Sequence, residues 1–441
     1  MFAQLLFIII LFIGVGYFSY NIKKTIRNIK LGKPTYRNDR KEERWKNMLL
    51  KAFGQKKMFK RPIPALLHLF AYLGFIIINL EVLEIIIDGA FGTHRVFAKL
   101  GSFYNFLIAS FEILAGLVII AVVVFWLRRN ILKLSRFQKP EMKGWPKKDA
   151  NIILYFELIL MSAFLMMNAA DYKLQILKHG HYYFKEGIAG GFPISSLFLK
   201  ILPNDPTSLI YIERSMWWLH IVGILIFLNY LYFSKHLHIL LAFPNTYFAK
   251  LPPLAKFKNL ESVKKEVSLM MDPNADPYAI PADENEAESE RFGAKDVFDL
   301  QWVYLLNAYT CTECGRCTDV CPANQTGKKL SPRKIMMVVR DRLEEVGKNI
   351  DKNKTYVDDG KSLLDYISKE ELWACTSCNA CVEECPVEID PLGVIISIRQ
   401  YLVMEESAAP SELNMMFTNI ENNGAPWQYS QMDRLNWVDD E

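Results

Sequence analysis

Residues 375–386 read CTSCNACVEECP, in which four closely spaced cysteines are followed by a proline. The same pattern, C-x2-C-x2-C-x3-C-P, occurs upstream at residues 311–322, CTECGRCTDVCP. In this pattern three neighbouring cysteines bind one iron–sulfur cube, and the fourth binds the cube of the other motif. The repeat therefore predicts one small domain with two [4Fe–4S] clusters.

The expected ligation crosses between the two motifs. One cluster is predicted to bind Cys311, Cys314, Cys317 and Cys385, and the other Cys375, Cys378, Cys381 and Cys321. A pair of zinc sites is the alternative. Zinc sites usually contain two C-x2-C pairs separated by a longer loop, however, rather than four cysteines within eleven residues. The spacing favours the clusters.

The residues around the motifs predict helices. Apolar residues recur at helical spacing in residues 331–347, SPRKIMMVVRDRLEEVG, and 362–374, SLLDYISKEELWA. An amphipathic helix is also expected over residues 298–310, FDLQWVYLLNAYT, directly before the first cysteine. We therefore expect a small α-helical, ferredoxin-type dicluster domain over residues 301–406.

The first half of the chain differs sharply from this domain. The chain is 51% hydrophobic with a formal charge of +4, but all eight cysteines follow residue 300. Before that point five apolar stretches have about the 20 residues needed to cross a bilayer. They are residues 2–20, 63–88, 103–127, 151–170 and 215–241. Residues 1–242 are thus expected to form an all-α membrane domain of five transmembrane helices.

The first stretch is expected to be retained, because it has no basic segment before it and no small-residue cleavage site after it. Residues 21–61 carry fifteen basic and three acidic side chains, and residues 128–149 carry eight and two. By the positive-inside tendency these loops are cytoplasmic. The dicluster domain then lies on the cytoplasmic side of the inner membrane, where thiols stay reduced and bind metals.

Histidines within the apolar stretches are candidate haem ligands, because polar side chains inside a membrane are costly without a function. His220 and His238 lie 18 residues apart in the fifth stretch, which on one helix means a shared face and a separation of about 27 Å. His68 lies near the start of the second stretch, at the same depth in the membrane as His238. This pair is predicted to bind one haem b.

A second haem would use His220, but Ile78 stands where its partner is expected. His94, His179 and His181 occur in the loops on the other side, and an exclusively structural role for His220 is the alternative. His236 is a weaker candidate, since on a continuous helix it points about 160° away from His238. The intramembrane acids Glu112 and Glu157 are candidate proton carriers; pairing of Glu157 with a lysine or arginine is the alternative.

The histidine pattern resembles the gamma subunit of respiratory nitrate reductase, a quinol-oxidising dihaem cytochrome. The resemblance lies in the His220 to His238 spacing, the ending FSKHLHIL and a histidine early in the second of five spans. It implies that His68 and His238 bind the haem nearer the cytoplasm and that His220 binds the outer one. The missing partner of His220 departs from the family pattern.

The cysteine-containing half resembles other proteins. AYTCTECGRCTDVCPANQTGKKLSPRKIM and ELWACTSCNACVEECPVEIDPLGVIISIRQYLVMEES are similar to the dicluster segment of membrane heterodisulfide reductases. Related quinone-linked proteins accept electrons from electron-transfer flavoprotein. The resemblance implies a partner, either a flavoprotein or a separate iron–sulfur subunit with CCG motifs. Residues 407–441, which contain apolar and aromatic side chains, are expected to dock it.

Residues 243–300 are predicted to be a linker, basic and proline-containing at first and acidic and extended over DPNADPYAIPADENEAESE. The sequence contains no G-x-G-x-x-G or G-x-x-x-x-G-K-[ST] motif and no recognisable nucleophile arrangement. No catalytic residue and no nucleic-acid partner are therefore expected.

These features together predict a membrane-bound subunit that passes electrons between a cytoplasmic partner and the quinone pool. The alternative is a haem-free anchor that tethers a dicluster ferredoxin to a larger complex. A sensor or assembly role for the clusters is a third interpretation.

Overall fold

The structure is a computed structural model that describes residues 1–185, 187–254, 256–257, 259–273 and 291–439. Helices and their connections make up these residues, and no β-strand occurs among them. A single parallel bridge pairs Lys33 with Gln301. The predicted class, a five-helix membrane domain with a small helical dicluster domain, is confirmed.

Five helices in the first half are long and apolar enough to cross a membrane. The helices of this half are α1 Phe2–Ile29, α2 Lys41–Met48, α3 Pro62–Phe91, α4 Ser102–Asn130, α5 Trp145–Ile176, α6 Pro206–Tyr230 and α7 His238–Tyr247. Helix α5 packs between α4 and α6, and α1 packs against α3 and α6. The short α2 and α7 pack on each other at one end of the bundle.

The fifth span begins and ends earlier in the chain than predicted, at Pro206–Phe233. A single helix over 215–241 is wrong, because α6 begins at Pro206 and the chain becomes extended at Ser234, with φ −114° and ψ 149°. The Ser234 hydroxyl accepts a hydrogen bond from the His236 amide, and an Asp149 carboxylate oxygen accepts one from the Lys235 amide at 3.2 Å. These bonds satisfy amides that a continuous helix would have paired internally. His220 and His238 are consequently not on one helix, and their predicted shared face does not exist.

The second half contains the linker helix and the helices of the dicluster domain. They are α8 Glu261–Met271, α9 Trp302–Thr310, α10 Arg316–Asp319, α11 Pro322–Gln325, α12 Pro332–Asn353, α13 Lys369–Trp373, α14 Ala380–Glu384 and α15 Pro391–Met404. The predicted helices before Cys311 and after Ser331 are confirmed. The Ser331 hydroxyl caps α12 by accepting a hydrogen bond from the Lys334 amide.

One apolar core joins the helices of the dicluster domain. Leu305 of α9, Val339 and Leu343 of α12 and Ile398 and Leu402 of α15 are fully buried in it. Because α9, α12 and α15 share this core, the two cysteine motifs are held in one rigid unit.

The predicted linker contains the end of α7 and all of α8. Most of its acidic part, residues 274–290, lies outside the described residues. From residue 291 onward the chain packs on the dicluster domain, where the Ala294 amide donates to the Ser397 carbonyl at 2.8 Å. In the predicted tail, helices α16 Ser411–Asn423 and α17 Asn436–Asp439 follow.

The dicluster domain packs on one end of the helix bundle, which we call the cluster side. Acidic residues of this domain meet basic residues of the membrane-domain loops there. The ion pairs are Lys51–Glu388, Lys60–Glu383, Arg61–Glu384, Arg61–Asp319, Arg27–Asp351 and Lys235–Glu313. The two halves therefore form one body, joined by these ion pairs and by apolar contacts of Ile29, Leu241 and Phe248 with the core of the dicluster domain.

The pair of Arg333 with Glu141 is a deeply buried part of this interface. The Arg333 side chain is fully buried, and its guanidinium lies 2.7 Å from a Glu141 carboxylate oxygen and 2.7 Å from the Arg136 carbonyl. The Ser331 hydroxyl donates to the same carboxylate at 2.7 Å. A buried charge of this kind is stable only while its partner is present.

Replacement of Glu141 by alanine is expected to destabilise the docked dicluster domain by about 3–5 kcal/mol, because Arg333 would remain buried and unpaired. Denaturant unfolding of the detergent-purified protein, followed by cluster absorbance, measures this. Lys329→Ala is the matched control, since the Lys329–Glu370 pair is exposed and should contribute less than about 1 kcal/mol. Equal effects of the two variants would contradict the assigned role of Arg333.

Candidate electron-transfer sites

The two cysteine loops have the same backbone conformation. Positive φ values occur at matching positions, at Glu313 (56°) and Gly315 (75°) in the first loop and at Ser377 (56°) and Asn379 (65°) in the second. The resulting turns direct the amide of Glu313 toward the sulfur of Cys311 and the amide of Ser377 toward that of Cys375. Amide donors of this kind stabilise thiolate ligands and influence the potential of a bound cluster.

The loops bring the cysteines together in two groups of four. Cys317 interacts electrostatically with Cys314, Cys311 and Cys385, and least strongly with Cys381 of the other motif. A small cavity on the other side of α14 is lined by Cys321, Cys375, Cys378 and Cys381. The fourth cysteine of each motif thus lies beside the first three of the other, as the spacing predicts. The assignment of each cysteine to a cluster stays a prediction.

Burial makes these thiols hard to ionise without a cation. It raises the pKa of Cys311 to about 11. Burial together with the nearby Cys314 raises the pKa of Cys385 to about 12. Four thiolates in such a space need bound positive charge, which iron supplies on ligation. The donor set therefore fits an iron–sulfur cluster.

The arrangement does not resemble a compact zinc site. Sulfurs that share one zinc ion lie about 3.8 Å apart, as zinc–sulfur bonds of about 2.3 Å require. Within the described residues no three His, Cys, Asp or Glu side chains converge on one ion in this way. An iron–sulfur cube holds its ligands further apart, because each cysteine binds a different iron.

Three histidines gather at the cluster side of the membrane domain. The ring centroids of His68 and His238 are 6.5 Å apart, and those of His236 and His238 are 5.3 Å apart. The Nδ1 atoms of His68 and His238 contact the Gln55 side chain at 3.1 Å and the Lys235 carbonyl at 3.2 Å. A histidine whose Nδ1 is held in this way can bind a metal through its Nε2 atom.

The spacing of this pair also suits a bound iron. Two imidazoles that bind one metal through bonds of about 2 Å have ring centroids about 6 Å apart. The expectation that His236 points away from His238 is wrong, because Lys235–Leu237 form a 3-10 turn instead of part of a continuous α-helix. His236 instead lies beside the pair.

Short segments connect the histidine pair to the first cysteine loop. The turn that carries Gln55, the partner of His68, also places the Lys57 carbonyl 3.5 Å from the Arg316 guanidinium. On the other side, Lys235 precedes His236 and forms an ion pair with Glu313. Sequence analysis missed this second link. The sequence offered two signals of this ion pair. Lys235 lies beside two histidines in an apolar segment, and Glu313 lies between two cysteines.

His220 has no such surroundings. Its Nδ1 contacts the Leu160 carbonyl at 3.0 Å, and its ring packs on Phe164. His94 lies instead against His181 and Asp171, at the end of the bundle opposite the dicluster domain. The structure thus brings none of the other predicted histidines to His220, and a second haem site is not assembled from them among the described residues.

The two intramembrane acids have different partners. Glu112 is fully buried and accepts hydrogen bonds from the amides of Ile194 and Ser195 at 3.0 and 3.1 Å and from the Asn168 side chain. It therefore anchors the loop before α6. Glu157 lies 3.6 Å from the Nε2 atom of His236. Its partner is a histidine, not the lysine or arginine that the alternative suggested.

A cavity of about 1180 Å³ at the far end of the bundle was not predicted. Its wall includes Glu81, Glu84, Arg95, Asp171 and Trp217. Arg95 binds the Asp171 carboxylate, and its guanidinium also donates to the Tyr104 hydroxyl at 3.0 Å. These residues are spread over three helices and a loop, so no local sequence pattern marks the cavity.

Comparison with known proteins identifies the cysteine-containing half. Residues 310–389 match the 4Fe-4S dicluster domain. The chain therefore contains a dicluster iron–sulfur domain. No solved structure matches the chain.

The whole chain is similar to longer proteins. It is 29% identical to the probable iron-sulfur-binding oxidoreductase FadF of Bacillus subtilis, over 99% of this chain and 61% of that protein. It is 26% identical to the EtfAB:quinone oxidoreductase of Syntrophomonas wolfei, over 98% and 59%. The chain thus spans about three fifths of the length of these relatives.

A shorter match covers about a third of the chain. The chain is 28% identical to one polypeptide of the dihydromethanophenazine:CoB–CoM heterodisulfide reductase of Methanosarcina mazei, over 32% of this chain and 36% of that polypeptide. The predicted resemblance to heterodisulfide reductases and flavoprotein-linked quinone oxidoreductases is confirmed as homology. The resemblance of residues 1–242 to the nitrate reductase gamma subunit stays a prediction.

Crossed ligation predicts which variants change the same cluster. Cys385→Ser and Cys311→Ser are expected to alter the same electron paramagnetic resonance signal, because both residues are assigned to one cluster. Cys321→Ser and Cys375→Ser are expected to alter the signal of the other cluster. The measurement uses the dithionite-reduced full chain. If Cys385→Ser and Cys375→Ser changed the same signal instead, each motif would bind its own cluster and the crossed assignment would be wrong.

Proposed function

We propose that this protein is the membrane electron-transfer subunit of an oxidoreductase and passes electrons between a partner at the dicluster domain and the quinone pool. The placement of the first cysteine loop against the histidine pair carries this proposal. Ion pairs hold the cysteine sites on the end of the bundle, and the Gln55–Lys57 turn and Lys235 connect that loop to His68 and His238. Electrons received at the domain surface have a short route into the membrane.

Two [4Fe–4S] clusters would be held by the two groups of cysteines, and they would supply one-electron carriers there. His68 and His238 would hold a haem b through their Nε2 atoms, with Gln55 and the Lys235 carbonyl fixing the rings. The haem, when bound, supplies a one-electron carrier inside the membrane domain. His220 is not included, because its surroundings are those of a structural histidine.

The quinone is the proposed substrate on the membrane side. One support is a relative that covers nearly the whole chain and is named an EtfAB:quinone oxidoreductase. A second is the all-helical membrane domain, which a lipid-soluble substrate can reach laterally. By the excess of basic residues in the loops on the cluster side, we place the dicluster domain in the cytoplasm and the protein in the inner membrane.

The proposed partner is a flavoprotein or a further iron–sulfur subunit. The name of one relative, EtfAB:quinone oxidoreductase, and the similarity to a heterodisulfide reductase subunit support a protein partner. Exposed apolar side chains of the segment 411–438 offer a surface for it: Met415, Phe417, Ile420, Trp427, Met432 and Trp437. Exposed apolar side chains that form one contiguous patch are typical of interaction sites, and we propose that these residues do so when the partner binds.

A dithionite-reduced minus oxidised optical spectrum of the purified protein tests the haem, with iron and sulfide quantified alongside. We expect one b-type haem and about eight non-haem irons per chain. His68→Ala should remove the b-type bands and leave the clusters. His179→Ala is the control, since His179 lies in the exposed turn after α5. A protein with full clusters and no haem would support the tethered ferredoxin instead.

A further inference from the structure

Arg399, on helix α15, binds the second cysteine loop. Its guanidinium donates hydrogen bonds to the Leu372 carbonyl at 3.0 Å and to the Cys375 carbonyl at 2.6 Å. A further nitrogen of the guanidinium lies 3.5 Å from the Ser377 hydroxyl. The side chain thus reaches from α15 to the first cysteine of the loop and to the residue before the second cysteine.

Trp373 holds this guanidinium from another side. The Arg399 cation lies over the Trp373 ring, 4.9 Å from the ring centroid, and the face of an aromatic ring attracts a cation at this distance. The two carbonyls and the ring together give the guanidinium one defined position. The positive charge is therefore held beside Cys375 rather than free to move into solvent.

The positive charge of Arg399 has no acidic partner. Within the part of the chain that the structure describes, no Asp or Glu side chain forms an ion pair with it. The carbonyls, the ring and the hydroxyl around it are uncharged, and the ionisable group that interacts with it is the Cys375 thiol. A partly buried cation is costly without a negative charge nearby. A negatively charged group is therefore expected at Cys375.

The cysteines of the second group provide such a charge when they bind a cluster. Four thiolates carry more negative charge than the iron–sulfide core carries positive charge, and an added electron makes the whole group more negative. Burial raises the pKa of the Cys375 thiol, and the Arg399 charge opposes this change. Arg399 thus stabilises negative charge at this sulfur.

The first half of the domain has an equivalent arginine with an acidic partner. Arg340 is the ninth residue of α12, and Arg399 is the ninth residue of α15. Arg340 binds Glu313 at 2.8 Å. Glu313 occupies the loop position that Ser377 occupies in the second motif, with the same φ of 56°. An acid thus balances the arginine beside the first motif, whereas a neutral serine faces the arginine beside the second.

We propose that Arg399 stabilises the reduced form of the second cluster, the one that contains Cys375, and thereby raises its reduction potential. In this reduction one electron enters the cluster from a redox partner, and no bond forms or breaks. The guanidinium attracts the added negative charge, which favours the reduced form. The inference rests on the proposed function and adds to it a residue that sets the energy of one electron carrier.

The second group of cysteines is also the more accessible one. Cys378 is exposed, whereas the other seven cysteines are buried or half-buried. The proposed partner can approach this cluster most closely at that point, and electrons cross short distances fastest. Arg399 therefore acts on the carrier at which electrons are exchanged with the partner.

A redox titration of the full chain, followed by electron paramagnetic resonance, tests this role. The signal of the second cluster is the one that Cys375→Ser alters. Arg399→Gln keeps a donor for the carbonyls and removes the charge. It should lower the midpoint potential of this cluster by about 59 mV or more, which is a tenfold change in the equilibrium constant of a one-electron reduction. A unit charge within about 10 Å has an effect of this size at an effective dielectric constant of about 20.

Two further variants separate the charge from a structural role. Arg399→Lys keeps the charge but not the planar donor group, and should retain most of the wild-type potential. Ser377→Glu places beside Arg399 the acid that Arg340 already has, in a backbone conformation that accepts glutamate in the first motif. It should lower the potential of the second cluster as Arg399→Gln does. If Arg399→Gln fails to assemble this cluster, Ser377→Glu decides the test.

Arg291→Gln is the matched control. Arg291 packs on Tyr401 of the same helix α15, and its charge is already balanced by Asp299 and Glu405 at 3.9 and 3.7 Å. Its loss should leave both cluster potentials unchanged. An unchanged second cluster in Arg399→Gln and Ser377→Glu would overturn the inference. Equal lowering in Arg399→Lys and Arg399→Gln would also overturn it, because the contacts rather than the charge would then matter.

These outcomes differ from a failure of the proposed function. If the reduced wild-type protein contains both clusters but is not oxidised by a short-chain quinone, the quinone-linked function is wrong, and the titration still decides the role of Arg399. If the wild-type protein reacts with the quinone but the variants have unchanged potentials, only the role of Arg399 is wrong.

Discussion

The ion pair between Lys235 and Glu313 joins the membrane domain and the dicluster domain at the point where their candidate cofactor sites meet. Both side chains are almost completely buried, so each charge depends on the other for its stability. Lys235 belongs to the segment that carries His236 and His238, and Glu313 lies between the first two cysteines. The position of the first cysteine loop relative to the histidines therefore depends on this contact.

The rest of the interface has the same character. Basic loops of the membrane domain face acidic residues of the dicluster domain, and Arg333 with Glu141 extends the contact deep between the halves. Buried ion pairs are weak evidence for stability but restrict the geometry of a contact, because a shifted pair leaves an unpaired charge. An electron-transfer protein needs such a restriction, since its carriers must stay at fixed separations.

These contacts give the basic loops a second role. Their excess of lysine and arginine suggested an orientation in the membrane, by the positive-inside tendency. In the structure several of the same residues, including Lys51, Arg61 and Lys60, are partners of acids in the dicluster domain. The basic residues of these loops thus bind the dicluster domain and also indicate the orientation of the membrane domain. Both roles concern the same end of the bundle, the cluster side.

The sequence by itself determined the number of spans, the helices before Cys311 and after Ser331 and the dicluster character of the second half. Each is a local pattern, namely a long apolar run, a helical repeat or a fixed cysteine spacing. Such a pattern can be recognised without knowledge of the contacts between distant residues. It did not reveal the break at Ser234, because a bond that replaces the helix there comes from Asp149, which lies 86 residues before Lys235. The contact of His236 with Glu157 also depends on tertiary packing, because Glu157 lies on α5 and His236 follows α6. The Lys235–Glu313 pair and the far-end cavity likewise join residues from separate helices, and only tertiary packing brings such residues together.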